Sequence, residues 1–365
     1  MNNFDEYIRQ GEPDKKEKAH NWQVAIGLQQ VDGLKPSEYL IQTAIQNIEG
    51  DITFEEVKKM IDNYYKDQSA RKNDKEDDRT EEADKVSARI AEILSEKTFS
   101  FSPVSYLNIH FRLFSGIYKF AGKIRDYNIT KSEWVLGGET VIYSEADTLR
   151  ATLEYDFEQE KKFDYKGLNT QQIIEHIAHF ISYLWQIHIF GEGNTRTTAV
   201  FLIKYLRKLG FDDVNNNLFA EHSWYFRNAL VRANYRNLKK GVHATEKYVV
   251  QFLENLLLGE NNILKNREIH IHFVSTKNVV VKQKNDTTND KKFGVKFGVK
   301  FGVNQEKILS LIENTPTITV SEMAEMLGIS ERAIEKNLAK FRELTVLTRI
   351  GSDKTGSWKI NDQKK

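Results

Sequence analysis

Twelve residues, His188-Ile-Phe190-Gly191-Glu192-Gly193-Asn194-Thr195-Arg196-Thr-Thr-Ala199, bring together an imidazole, a carboxylate, an amide, a hydroxyl and a guanidinium. The run lies where one strongly apolar stretch stops and another starts, so it joins two helices. A polar, Gly-containing loop entering a helix leaves backbone N–H groups unpaired at the positive end of the helix dipole, and that attracts phosphate. Arg196, in the first turn, offers a planar cationic fork to phosphate oxygens. Glu192 is out of place beside an anion unless a divalent cation bridges the two, and Mg²⁺ accepts one or two carboxylates together with phosphate oxygens. His188, ending the preceding helix, is placed to take a proton from an incoming hydroxyl. Singly, a helix-end His is more often a cap and Gly-Glu-Gly-Asn more often a turn. Jointly they describe phosphoryl- or nucleotidyl-transfer chemistry.

The elements that must position this loop follow from hydrophobic spacing. Ile173, Ile174, Ile177, Phe180, Ile181, Leu184 and Trp185 form a wide apolar face, as a central helix requires, and Val200 to Leu206 continue on the next one. Tyr106, Ile109, His110, Leu113, Phe114, Ile117 and Tyr118 give an amphipathic helix upstream. Between them, Asn128 to Tyr143 carries a Gly137-Gly138 turn before Thr-Val-Ile-Tyr, which predicts a β-hairpin. Near the start, two helical patterns flank Thr53-Phe-Glu-Glu56, a capping box.

The remainder bounds the class. With 365 residues, 40% of them hydrophobic, the chain suits two or three packed domains. No apolar window reaches ~18 residues, so a membrane span is not expected, and the first residues lack the apolar core of a signal peptide. The absence of cysteine excludes disulfides, thiol nucleophiles, zinc fingers and iron–sulfur clusters; a cytoplasmic address is the simplest expectation. Residues 66–85 are nearly all charged or polar and predict a solvated linker or an exposed helix. His176 and His179, three apart on a helix, and His270 and His272, alternating on an expected strand, lack further ligands and read as ordinary histidines. Residues 275–303 end in three copies of KFGV, a linker pattern. Beyond them come three short helices with Gly328 in a turn, then strand-like Val346–Ile350 and Ser357–Ile360, the winged-helix order. The last hundred residues are net basic and the rest net acidic, yet the segment 331–342 mixes signs. A protein-docking or weak DNA role is favoured over sequence-specific recognition.

The His188 segment resembles the motif of the Fic (filamentation induced by cAMP) family, His-x-Phe-x-Asp/Glu-Gly-Asn-Gly-Arg-x-x-Arg, at His188, Phe190, Glu192, Gly193, Asn194 and Arg196. Leu113 to Arg125 resembles the family's leading helix and Gly-Lys-x-Arg turn. The Asn128–Tyr143 hairpin falls where members keep the flap that pairs with a target segment, here Trp134, Val135, Val141 and Ile142. The implied fold is mainly α: a Fic-type helical bundle with one β-hairpin flap, a small N-terminal helical module and a C-terminal winged helix-turn-helix. The implied divisions are 1–66, a charged linker at 67–85, the catalytic domain at 86–260, a linker with a strand-like segment at 261–303, and the winged helix at 304–361.

The resemblance implies transfer of AMP from ATP to a Ser, Thr or Tyr hydroxyl of a protein, including the chain itself. His188 would be the base and Glu192 the Mg²⁺ carboxylate. Gly191, Gly193 and Asn194 would shape the anion hole, with Asn194 on the α-phosphate and Arg196 on other phosphate oxygens. Tyr225 falls in a helix that borders the adenine in this family, stacking and core packing being equally open for it. Ile189 replaces the usual Pro. Thr195, counted among the nucleotide-binding residues, stands where nucleotidyl-transferring members have Gly and phosphotransferring ones have Lys; it either narrows the loop or donates its hydroxyl to a phosphate. Ala199 replaces the second Arg. Phosphoryl or another nucleotidyl transfer, or a DNA-binding regulator with a degenerate Fic body, are the alternatives. Residues 21–37 resemble an antitoxin of the VbhA type fused in cis, with Asp32 and Gly33 at its Glu-Gly position; either the module docks on the body as a restraint, or it only adds core. Expected partners are ATP, a hydroxyl-bearing protein, and DNA or protein for the winged helix; no membrane is expected, and a homodimer is allowed.

Overall fold

Several helix starts are written locally. Ser37 accepts a hydrogen bond from the Leu40 N–H, Ser102 from Ser105 N–H with Pro103 in the first turn, and Asn169 and Gln172 cap each other reciprocally. Thr53 N–H donates to Glu56 Oε2 at 2.7 Å and Glu56 N–H to Thr53 Oγ1 at 3.3 Å, so the expected capping box forms. The structure, a computed structural model, describes residues 4–69, 75–211, 216–273, 301–327, 329–350 and 357–361. The chain divides into two units, Met1–Phe273 and Val274–Lys365.

The first unit is helical: α1 (Asp5–Gln10), α2 (Pro13–Gly27), α3 (Glu38–Glu49), α4 (Phe54–Ser69), α5 (Lys75–Ser95), α6 (Pro103–Phe114), α7 (Leu149–Lys162), α8 (Thr170–Ile187), α9 (Asn194–Lys208), α10 (Asn217–Glu221), α11 (Ser223–Ala233), α12 (Lys247–Leu258) and α13 (Asn266–Ile269). Helices α8 and α9 meet through the motif loop, and α6 packs on α9. Helix α9 is buried continuously from Asn194 to Leu206, the interior position that its all-round apolar and small residues dictate.

Helix α2 packs against α5 and α10, and its buried Trp22 and Val24 share one apolar core with Ile177, Phe190 and Phe201. The N-terminal residues are therefore part of the body and not a separate module at 1–66. From Lys75 the charged segment takes the helical one of its two expected forms, but it is not exposed throughout: Asp84 is fully buried, taking hydrogen bonds from Ser37 N–H at 2.8 Å, Ser37 Oγ and Tyr65 Oη. A carboxylate with three donors tolerates burial; burial nonetheless raises its pKa. At the far end of α5, Lys204 donates to the carbonyls of Ile93 (3.1 Å) and Glu96, and Arg207 to that of Leu94. Two cations from α9 thus satisfy the last carbonyls of α5.

Residues 128–143 reverse at Gly137 and Gly138, which take φ of 63° and 90°, but they form no strands. The consecutive Val135 and Leu136 are instead both buried in a 3₁₀ turn, Trp134–Leu136, and this breaks the alternation a ladder needs. The expected linker beginning at 261 is packed through Phe273: Ile269 is fully buried, and Ile271 N–H donates to Val135 O at 2.9 Å. His270 and His272 lie in a turn, not a strand.

The second unit contains helices Val303–Asn314, Val320–Leu327 and Glu331–Glu343, then β1 (Leu347–Ile350) antiparallel to β2 (Ser357–Ile360), with Leu347 opposite Ile360 and Arg349 opposite Trp358. Ile308, Ile312, Met323, Ile334, Leu338 and Phe341 form its core. Most of the KFGV run, Gly328 and the tip between the two strands lie outside the described residues, as do residues 70–74 of the charged segment. No helix among the described residues is long and apolar enough to cross a membrane.

Helix α2 approaches α10 so closely that a Cβ on Gly27 would overlap the backbone of Ala220. Gly27→Ala is expected to lower stability by about 1–3 kcal/mol, as an overpacked core does, measured by urea unfolding of the full chain.

Candidate active site

His188 follows the last turn of α8 and adopts left-handed backbone, φ 48° and ψ 53°, uncommon for any residue but Gly. Arg125 holds it there. The Arg125 Nε donates to His188 O at 2.8 Å, its terminal nitrogens donate to the carbonyls of Tyr127 and Ser144, and its backbone N–H donates to Ile189 O at 3.0 Å. One buried guanidinium thus takes the carbonyls at the end of α8 and ties them to the turn preceding the flap.

The His188 ring is 4% exposed and packs against Tyr143 and Trp185, with centroids at 4.3 and 5.2 Å. Neither ring nitrogen has a hydrogen-bond partner among the described residues. Burial drives its pKa well below 6.5, and Lys131, Arg227 and Arg125 push the same way. The imidazole is consequently neutral near pH 7, with a lone pair available.

The loop that follows is braced from both sides. Asn194 Oδ1 accepts from Phe190 N–H at 3.1 Å and its Nδ2 donates to Phe190 O at 2.8 Å, closing the loop on itself. His110, on α6, accepts Gly122 N–H at Nδ1 (2.8 Å), so its Nε2 is the protonated nitrogen and donates to Glu192 O at 3.0 Å. Its ring stacks on Phe190 at 3.7 Å. His110 belongs to the site's framework, although in the sequence it is only one more member of an apolar face. Gly193 has φ 77°, and a Cβ there would enter the Phe114 ring; a Cβ on Gly191 would lie 2.6 Å from Tyr127 Oη. Gly193 needs glycine on both counts, whereas at Gly191 a side chain would have to displace the exposed Tyr127 hydroxyl.

The N–H groups of Asn194, Thr195 and Arg196 open α9 and have no partner within it. Thr195 Oγ1 accepts the Trp185 indole N–H at 3.0 Å. Glu192 is exposed, and its carboxylate meets Lys131 of the flap at 3.2 Å. Among the described residues no three His, Cys, Asp or Glu side chains cluster as a metal cage. A lone accessible carboxylate beside an anion-seeking helix start suits a cation that shares its ligands with phosphate.

Arg196 is 1% exposed and already occupied. Asp32 Oδ2 lies 2.7 Å from its Nε, an ion pair without hydrogen-bond alignment. Its terminal nitrogens donate to Gln29 Oε1 (2.9 Å), Glu82 Oε1 (2.6 Å) and Tyr118 Oη (3.2 Å), and Phe114 covers its face. Asp32 ends the 3₁₀ turn Leu28–Asp32, and Gly33 closes it at φ 67°. In the flap Trp134 and Ile142 are exposed while Val135 and Val141 are buried. Tyr225 is 1% exposed and donates to Gln251 at 3.4 Å, a packing position. Arg227 forms a two-pronged ion pair with buried Glu133. His176 and His179 point to separate acids, Glu160 and Glu246.

Residues 100–206 match the Fic/DOC family, and residues 304–354 match an HTH domain. The chain carries a Fic/DOC domain. It spans α6 to α9 and contains the braced loop, His188, Arg125 and His110; the C-terminal unit supplies the helix-turn-helix. Protein adenylyltransferase VbhT of Bartonella schoenbuchensis is 28% identical over 103 residues, which is 28% of this chain. The match spans a fifth of that relative's length. A crystal structure of a Fic family protein from Desulfovibrio desulfuricans G20 aligns with 99% of this chain and 92% of its own, at 13% identity and a TM-score of 0.41.

The framework role of His110 can be tested by acid. Burial lowers its pKa to about 4. Between pH 6.5 and 4 the unfolded chain binds a proton there that the folded Fic/DOC domain does not, so stability falls as pH falls. His188 contributes with the same sign. Urea midpoints are expected to drop between pH 7 and 5, and His110→Asn is expected to lower stability at pH 7 while shrinking that drop.

Proposed function

We propose that this chain is a protein adenylyltransferase, transferring AMP from MgATP to a hydroxyl of a protein, with its own N-terminal residues holding it in a restrained state. The observation carrying the transfer reading is the buried, neutral, unpartnered imidazole of His188, whose neighbour Trp185 also touches the open helix start at Thr195. His188 would take the hydroxyl proton as the oxygen attacks the α-phosphorus. The bond from that phosphorus to the bridging oxygen breaks, and pyrophosphate leaves with the electron pair. N–H groups of α9 would receive the phosphoryl oxygens, and Arg125 keeps the imidazole in place. Mg²⁺, for which Glu192 is the available carboxylate, would supply charge neutralisation on the phosphates. The match to the Fic/DOC family and the printed activity of the Bartonella relative support this reading.

The restraint rests on Arg196. Its fork, suited to phosphate, is spent on Asp32, Gln29, Glu82 and Tyr118. Ala199 cannot replace it. Two carboxylates from different elements hold it, so loss of Asp32 alone leaves Glu82 in place.

Incubation with MgATP followed by intact-mass measurement separates the readings: a gain of AMP supports adenylylation, a gain of phosphate the phosphoryl alternative, and no gain in any variant a DNA-binding regulator. His188→Ala is expected to abolish the gain while leaving the circular dichroism unchanged. Asp32→Ala with Glu82→Gln is expected to raise incorporation about tenfold or more and to lower stability by about 3 kcal/mol, since a buried guanidinium loses its anions. Because the His188 pKa is depressed, the acid limb of kcat/KM should fall below pH 6.5.

A further inference from the structure

Thr195 occupies the one position of the loop where a hydroxyl replaces the expected Gly, and the structure gives that hydroxyl a specific neighbour. Trp185 is 1% exposed, and a buried indole N–H needs an acceptor. Thr195 Oγ1, at 3.0 Å, is that acceptor. A glycine at 195 would orphan the indole. The same indole meets the His188 ring edge to face, 5.2 Å between centroids at 88°, and lies 5.9 Å from Tyr143. One side chain therefore fixes both the base and the loop hydroxyl.

The contact also settles which half of the hydroxyl is spent. The oxygen receives the indole proton, whereas its own proton has no acceptor among the described residues. At 7% exposure Thr195 is the most accessible of residues 194–198. Its oxygen stands in the first turn of α9, beside the N–H groups open to an anion. We propose that Thr195 is a further binding residue of the site, donating its hydroxyl proton to a phosphoryl oxygen of the nucleotide, and that Trp185 is its positioning residue. The inference rests on the adenylyltransferase reading for the identity of the nucleotide. Restoring the family's glycine would then impair this protein, because the two positions are matched.

The test uses the full chain with MgATP. Thr195→Val keeps the shape but removes the hydroxyl both as donor to phosphate and as acceptor of the Trp185 indole. It is expected to weaken nucleotide binding and lower kcat together, by about tenfold or more, and the loss should persist when Trp185→Phe is added so that no indole is orphaned. Thr195→Ser, which keeps the donor, should stay within about threefold of the parent. Thr195→Gly should lose activity and shift the Trp185 indole ¹H–¹⁵N resonance. Trp185→Phe combined with Thr195→Gly should cost less than the product of the single losses, because the orphaned indole is gone. The indole resonance should move on nucleotide addition in the parent and much less in Thr195→Val. Equal nucleotide affinity and equal resonance shifts in Thr195→Val and the parent, or a Thr195→Gly chain faster than the parent, would overturn the proposal. A parent that binds MgATP, with the Thr195 dependence intact, but transfers no AMP would instead remove the activity reading and keep the donor.

Discussion

Arg196 sets the terms for the rest of the first unit. A guanidinium in the first turn of a helix faces the positive end of the dipole, the unfavourable end for a cation. At 1% exposure it has almost no water to compensate. Burial alone disfavours its charge, and Asp32, Tyr118 and Glu82 outweigh that effect and hold the group charged. A buried cation in such a place must have anions, and here they come from the 3₁₀ turn after α2 and from α5. The requirement pulls an N-terminal segment and a highly charged helix onto a loop far from both in sequence. Phosphate would meet the same requirement. In the proposed function, carboxylates of the chain and oxygens of a nucleotide would therefore compete for one fork, and a restrained state and a loaded state would be alternatives of the same electrostatic need.

The loop can present its donors only because little in it is free to move. Arg125 satisfies the carbonyls ending α8, so that His188 keeps a backbone conformation costing of order 1 kcal/mol or more. His110 uses both ring nitrogens, one receiving from the turn at Gly122 and one giving to Glu192. Asn194 spends its amide on Phe190. These three side chains fix where the imidazole and the helix start lie relative to each other. Such bracing by buried hydrogen bonds is how a site is held in working geometry before any ligand arrives.

Much of this was legible in the sequence. Periodicity located α3, α4, α6, α8 and α9, the Thr53–Glu56 box marked a helix start, and the helices and strands of the winged-helix unit fall close to their expected bounds. The loop chemistry could be read because glycine, carboxylate, amide and guanidinium at fixed spacing on a helix start carry a local physical meaning. What escaped was long-range. Nothing in the composition of residues 66–85 shows that Asp84 finds Ser37 and Tyr65, or that Glu82 finds Arg196, since those partners exist only after packing. His110 looked like core because on an amphipathic face a buried donor is indistinguishable from a filler. The flap reads as a hairpin because alternation and a Gly-Gly turn were both present; before the turn, however, Trp134–Leu136 wind into a 3₁₀ turn that buries Val135 and Leu136 consecutively, and no ladder forms.

These packing relations bear on what the N-terminal residues are. A regulatory segment that merely rests on a surface can be removed and its effect read from what remains. Here α2 is buried over most of its length, contributes Trp22 and Val24 to the common core, and lies against α10 at a distance only Gly27 permits. Deleting the segment would strip apolar surface from α5 and α10 and withdraw Asp32, one of the two carboxylates on Arg196, together, so that any lost restraint and the lost stability would arrive as one result. The two effects separate only at the carboxylates themselves. Asp32 and Glu82 keep part of their surface toward solvent while their oxygens reach the guanidinium, so replacing them alters charge and leaves the core in place. The segment thus belongs to the folding unit through its apolar residues and to the site through one acidic side chain.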